Sequence, residues 1–163
     1  MNWNGISAVN IQSITLAESL ELNKVILKVK HSQDSGASFN LKLTVFGDNG
    51  NKPDFNNLIS ASTISGLSGD PQNRDLVFSF SPNVVLSSGV KYWFVLENSS
   101  YTFHSYSDSL SNSWQSAVSG SDVYSGGESG QVFIKVSPFG SYIDDSVNIN
   151  SAVDWYIKIG FGE

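Results

Sequence analysis

The chain has 163 residues, 40% hydrophobic and 12% aromatic, a balance that buries a core and excludes a disordered chain. Only 15% are charged, the net charge is −6, and the nine Lys and Arg are scattered, which excludes the clustered cations that nucleic acid or an anionic membrane surface requires. Cysteine is absent, so disulfides, thiol catalysis and Cys-based zinc sites are excluded as well.

The N-terminus, Met1-Asn2-Trp3-Asn4-Gly5, has no basic region followed by an apolar run, so no signal peptide is expected. No apolar stretch approaches the roughly 18 residues of a membrane span, so no membrane insertion is expected. Ile14 to Asn23 offers Leu16, Leu20 and Glu21 for a short helical turn, but it reads better as a strand and its connection. From Leu22 to His31 the apolar Val25, Leu27 and Val29 alternate with Lys24, Lys28 and Lys30, a strand with one wet face. Phe39, Leu41, Leu43 and Val45 alternate with Asn40, Lys42 and Thr44 in the same way.

Gly47-Asp48-Asn49-Gly50-Asn51-Lys52-Pro53 then reads as a turn, because Gly and Asn tolerate positive φ and Pro cannot continue a ladder. Leu76, Phe78 and Phe80 mark another strand, with turns expected at Ser65 to Asn73, Ser81 to Asn83, Ser87 to Gly89 and Ser99 to Ser100. Val90 to Leu96 is apolar on both faces except at Lys91, which fits a central strand covered on both sides. Tyr101, Phe103 and Ser105 alternate with Thr102, His104 and Tyr106. Ser107 to Gly130 is rich in Ser and Gly and reads as a long irregular loop, and Asp144 with Asp145 reads as a second acidic loop. Val132, Ile134 and Val136 form a further row, and Val153, Trp155, Ile157, Ile159 and Phe161 close the chain. About seven to nine strands without an amphipathic helix predict an all-β fold. The expected architecture is one domain over residues 1–163, a two-sheet antiparallel β-sandwich of jelly-roll topology.

Catalytic patterns are missing. The nearest approach to a G-x-S-x-G nucleophile elbow, Gly127-Glu128-Ser129-Gly130, has the wrong spacing. Only His31 and His104 exist, too far apart in sequence for a typical zinc spacing, and His104 reads as a polar outward residue. The acids fall mainly in expected turns and single out no facing pair for glycoside hydrolysis. A non-catalytic protein is therefore expected, with no cofactor. Calcium is the ion best suited to the sequence, because it takes several loop oxygens, and Asp48, Asn49, Asn51 and Asp54 crowd one short loop.

Tyr101, Tyr106, Trp114 and Tyr124 cluster in and just before the long loop. Exposed rings there would lie against the apolar patch of a sugar, with neighbouring Asn, Asp and Ser supplying hydrogen bonds. The same residues also suit loop anchors or hot spots of a subunit interface. Trp93 and Trp155 sit within strong strand patterns and are expected in the core.

The run Ser87-Ser88-Gly89-Val90-Lys91-Tyr92-Trp93-Phe94-Val95-Leu96 resembles the L-x-x-G-x-x-Y-W-x-V-L strand of the choice-of-anchor type of jelly-roll domain. Upstream, Asp48-Asn49-Gly50-Asn51-Lys52-Pro53 followed by Leu58-Ile59-Ser60-Ala61-Ser62 resembles that family's D-x-N-G-K-P-G … L-A-S-S turn and strand. Asn51 is an extra residue here, and Asp54 stands where the family has glycine. The resemblance spans roughly residues 8 to 161 and brings no catalytic residue with it. It implies a module of bacterial surface proteins or of bacteriophage virions that binds glycans or neighbouring proteins. Without an export signal, the virion form is the expected one: synthesis in the host cytoplasm, then assembly as a capsid decoration or tail receptor-binding subunit. Virion proteins or a host-surface glycan are the partners implied, and a homotrimer is the expected assembly. The alternative is a carbohydrate-binding module at the cell surface or outside the cell.

Overall fold

A computed structural model describes residues 6–31, 38–68, 73–98, 114–116, 129–136, 142–150 and 157–161, and side chains within 10–29, 40–67 and 74–97. Every element among them is a strand. They are β1 (Ile6–Thr15), β2 (Leu20–His31), β3 (Ser38–Asp48), β4 (Pro53–Ser68), β5 (Asn73–Leu86), β6 (Lys91–Asn98), β7 (Trp114–Ser116), β8 (Ser129–Val136), β9 (Tyr142–Asn150) and β10 (Ile157–Phe161). One sheet runs β4-β3-β6-β1-β8-β9, the other β10-β2-β5, with β7 also paired to β2. All pairings are antiparallel, and the two sheets pack face to face as a β-sandwich.

The alternation seen in the sequence sets which side chains fill the space between the sheets. Val25, Leu27 and Val29 of β2 and Leu76, Phe78 and Phe80 of β5 meet Leu41, Leu43 and Val45 of β3 and Tyr92, Phe94 and Leu96 of β6. Leu22 also points inward, out of phase with Val25. A register shift between Leu22 and Lys24 opposite β5 explains this, because one extra residue flips the following side chains to the other face. On the wet face Lys28 finds a cross-strand partner: it lies opposite Asp75, with its Nζ 3.8 Å from the carboxylate.

Several segments differ from their sequence reading. Ser81 to Asn83 lies inside β5, where pairing with β2 breaks between Ser79 and Val84, so the expected turn is an interruption within a strand. Asp144 and Asp145 lie in β9, not in a loop; Ile134 pairs with Asp144 and Phe133 with Ser146, so Asp145 is the bulged residue. Within Ser107 to Gly130, Trp114–Ser116 forms β7 and Ser129 opens β8. Ile14 to Asn23 is the end of β1, a connection and the start of β2, as expected. Trp155 and the expected strand Tyr101 to Tyr106 lie outside the described residues. No helix among the described residues is long and apolar enough to cross a membrane.

Candidate functional site

β6 is the strand on which the described polar groups converge. It lies between β3 and β1, and its odd-numbered residues face away from the other sheet. Trp93 and Val95 on that outer face are nonetheless buried, packed with Phe46 of β3 and Ile11 of β1. The cross-strand register produces the cluster directly, because Trp93 pairs with Phe46 and Val95 with Ile11. Phe55 closes over it, its ring edge-on to Phe46 at a centroid distance of 5.2 Å.

Phe55 reaches that position through an irregularity in β4. Phe46 pairs with Leu58 and Gly47 with Asp54, so Phe55, Asn56 and Asn57 bulge out of the ladder. The bulge lays the Asn57 amide over Gly47, where a Cβ on residue 47 would sit 2.3 Å from Asn57 Nδ2. Gly47 is thus required by close approach and not by its φ. The turn beyond it is set by Gly50 and Asn51, at φ 61° and 75°, with the Asn49 N–H donating to the Lys52 carbonyl at 2.9 Å. Two successive positive φ values at the centre of a tight hairpin are those of a type I′ turn, which matches the twist of the flanking strands.

Polar contacts tie this hairpin tip to the start of β6. The buried indole of Trp93 donates from Nε1 to Asp48 Oδ1 at 2.7 Å. Lys91, two residues earlier on the same face, donates from Nζ to Asn51 Oδ1 at 2.5 Å and lies 5.7 Å from the Trp93 ring centroid. Asp54 Oδ1 accepts from the Asn56 backbone N–H at 3.1 Å and caps the bulge.

The four residues weighed as calcium ligands, Asp48, Asn49, Asn51 and Asp54, lie at the β3–β4 hairpin. The structure gives Asp48, Asn51 and Asp54 internal donors, one of them the Lys91 ammonium. Among the described residues no three His, Asp or Glu side chains stand close enough together to share an ion. The aromatic group does not come together in the same way: Tyr101, Tyr106 and Tyr124 lie outside the described residues. Trp114 opens β7 opposite His31, at the margin of the smaller sheet.

Sequence reasoning placed Trp93 in the core but not its hydrogen bond to Asp48. A buried indole demands an acceptor, and that signal was present. Which acid meets it, 45 residues away, follows only from the β3–β6 register. No family model matches the chain, and no curated protein matches it either.

Proposed function

We propose that the chain is a non-catalytic structural or adhesion protein of a bacteriophage virion, a capsid decoration or tail receptor-binding subunit of the choice-of-anchor jelly-roll type. Its partners are then virion proteins or a host-surface glycan. The observation that carries the reading is where the described polar side chains are used. Asp48, Asn51, Lys91 and Asp54 brace a hairpin, and Lys42 with Glu97 braces two strands, while Ser, Thr and Asn dominate the exposed positions of β4. A rigid sandwich with a hydroxyl-rich, weakly charged exterior suits recognition by shape and hydrogen bonding. Cosedimentation of the purified chain with particles lacking it tests the reading; saturable binding is expected, and a chain that stays in the supernatant overturns it.

A second reading, a carbohydrate-binding module, is favoured by Trp114, whose strand lies at a sheet margin within an aromatic-rich sequence. A glycan array should then show binding that Trp114→Ala abolishes. Binding unchanged by that substitution removes Trp114 from the site.

A further inference from the structure

We infer that Asn49 is a site of spontaneous modification, where the backbone nitrogen of Gly50 displaces the carboxamide nitrogen and an aspartyl or isoaspartyl residue results. Asn followed by Gly is the pair best suited to this reaction, because glycine has no Cβ to obstruct its own nitrogen. The sequence holds two such pairs, Asn4-Gly5 and Asn49-Gly50, and the first lies outside the described residues.

The hairpin tip leaves the second pair open. Asp48, Asn49, Gly50 and Asn51 are all exposed, and a Cβ built on Gly50 would meet nothing within 4 Å. Among the described residues no hydrogen bond holds the Asn49 carboxamide or the Gly50 N–H. Other asparagines are held and followed differently. Asn51 accepts from Lys91 and precedes Lys52, Asn40 accepts from the Gly66 N–H and precedes Leu41, and the Asn57 amide lies over Gly47 and precedes Leu58. Bringing the Gly50 nitrogen to Asn49 Cγ requires rotation about the Asn49 Cα–C bond. At the tip this costs the bond from the Asn49 N–H to the Lys52 carbonyl and moves exposed polar residues, so a local opening suffices.

The chemistry needs only base and water. Base takes the Gly50 amide proton, the nitrogen bonds to Asn49 Cγ, and the Cγ–Nδ2 bond breaks with release of ammonia. Water then opens the cyclic imide. Addition at Cγ gives aspartate, whereas addition at the Asn49 carbonyl carbon gives isoaspartate, whose main chain runs through Cγ and is one methylene longer. Either product sets a new carboxylate, ionised at neutral pH, beside Asp48. Only isoaspartate lengthens the backbone, and the type of a tight hairpin turn is fixed by its length. Asp48 and Asn51 flank the altered unit, so their bonds to Trp93 and Lys91 loosen with it. The inference does not depend on the virion reading and holds for a glycan-binding module as well.

Incubation of the full chain at mildly alkaline pH, with peptide mapping by mass spectrometry over time, tests it. The peptide containing Asn49 should convert fastest among those of the described asparagines. It should gain the mass of one amide-to-acid exchange and split into two isomers, one of them a substrate for an isoaspartyl methyltransferase. Asn49→Gln should lose the conversion with its far-UV circular dichroism unchanged. Hydrogen exchange separates charge from backbone. The isoaspartyl fraction should lose protection across residues 47–54, while Asn49→Asp, which has the carboxylate without the added methylene, should exchange like the wild type. An Asn49 peptide that stays intact while another described asparagine converts overturns the inference. So does an isoaspartyl fraction whose tip exchanges no faster than that of Asn49→Asp.

Discussion

The two apolar clusters of the larger sheet are built differently, although β6 contributes to both. The cluster between the sheets holds Phe78, Phe94, Leu27, Leu43 and their neighbours. Gln12, fully buried beside Phe94 in the register, is its polar intrusion and donates from Nε2 to the Ser13 carbonyl at 2.8 Å. The outer cluster is only Ile11, Phe46, Trp93 and Val95 under Phe55, yet it is bound to the hairpin tip by Trp93, Asp48, Lys91 and Asn51. The first cluster derives its strength from the number of buried groups. The second is small and depends on particular pairs, so single polar or steric changes should be felt there.

The largest effect is expected in the first cluster. Phe78 is fully buried in β5, opposite Val25 of β2, and Phe78→Ala removes a ring from a space that other rings and branched chains cannot all refill. Urea unfolding should register a loss of about 3–5 kcal/mol with little change in slope. A loss under about 1 kcal/mol would mean that the inter-sheet core collapses easily, and the contrast with the outer cluster would fail.

Trp93→Phe comes next and probes the outer cluster's dependence on one hydrogen bond. The substitution keeps a ring but removes the indole N–H and part of its volume, while the exposed Asp48 carboxylate can return to water. About 1–2 kcal/mol should be lost, and Asp48→Ala should add little on top of it. Independent, additive losses would show that the indole and the carboxylate do not act as a pair.

How much of this was legible in the sequence follows the same division. Strict alternation marked β2, β3 and β5, because a half-buried strand must place every second side chain inward. The doubly apolar run Val90 to Leu96 marked a strand covered on both faces, which holds from Tyr92 to Leu96, whereas Val90 precedes β6 and is exposed. Bulges were not legible. The inward Leu22 and Val25 fall on opposite parities, and the adjacent acids of β9 read as loop formers, since a bulge leaves no composition signature of its own. The crowding of Asp48, Asn49, Asn51 and Asp54 was visible, but not that Lys91 and Trp93 would meet those oxygens, which takes the pairing of β3 with β6.

Gly47 sharpens the steric side of the comparison. Gly47→Ala puts a methyl where Asn57 Nδ2 now lies, and Asn57 Cγ is only 3.1 Å from the same point. Asn57 is exposed, so its amide can swing away, though Phe55, two residues back in the same bulge, must stay over Phe46. A loss of about 1 kcal/mol is expected from the single variant. Asn57→Ala should remove most of that penalty when the two are combined, and a double-mutant cycle that shows no coupling would place the cost elsewhere.

The smallest effects separate two ion pairs that look alike in the register. Lys42 lies opposite Glu97 in the β3–β6 ladder, with Nζ 3.3 Å from Oε1 and side chains 28% and 16% exposed. Lys28 and Asp75 are 3.8 Å apart with side chains 46% and 52% exposed. Water and salt screen the second pair almost fully, while the first sits where neighbouring strands on both sides exclude part of the solvent. Double-mutant cycles to alanine should give a coupling of about 0.5 kcal/mol for Lys42–Glu97 and a value near zero for Lys28–Asp75. Added salt should reduce the first and leave the second unchanged. Equal couplings would mean that strand pairing alone sets the interaction, and that position within the larger sheet gives β6 no electrostatic advantage.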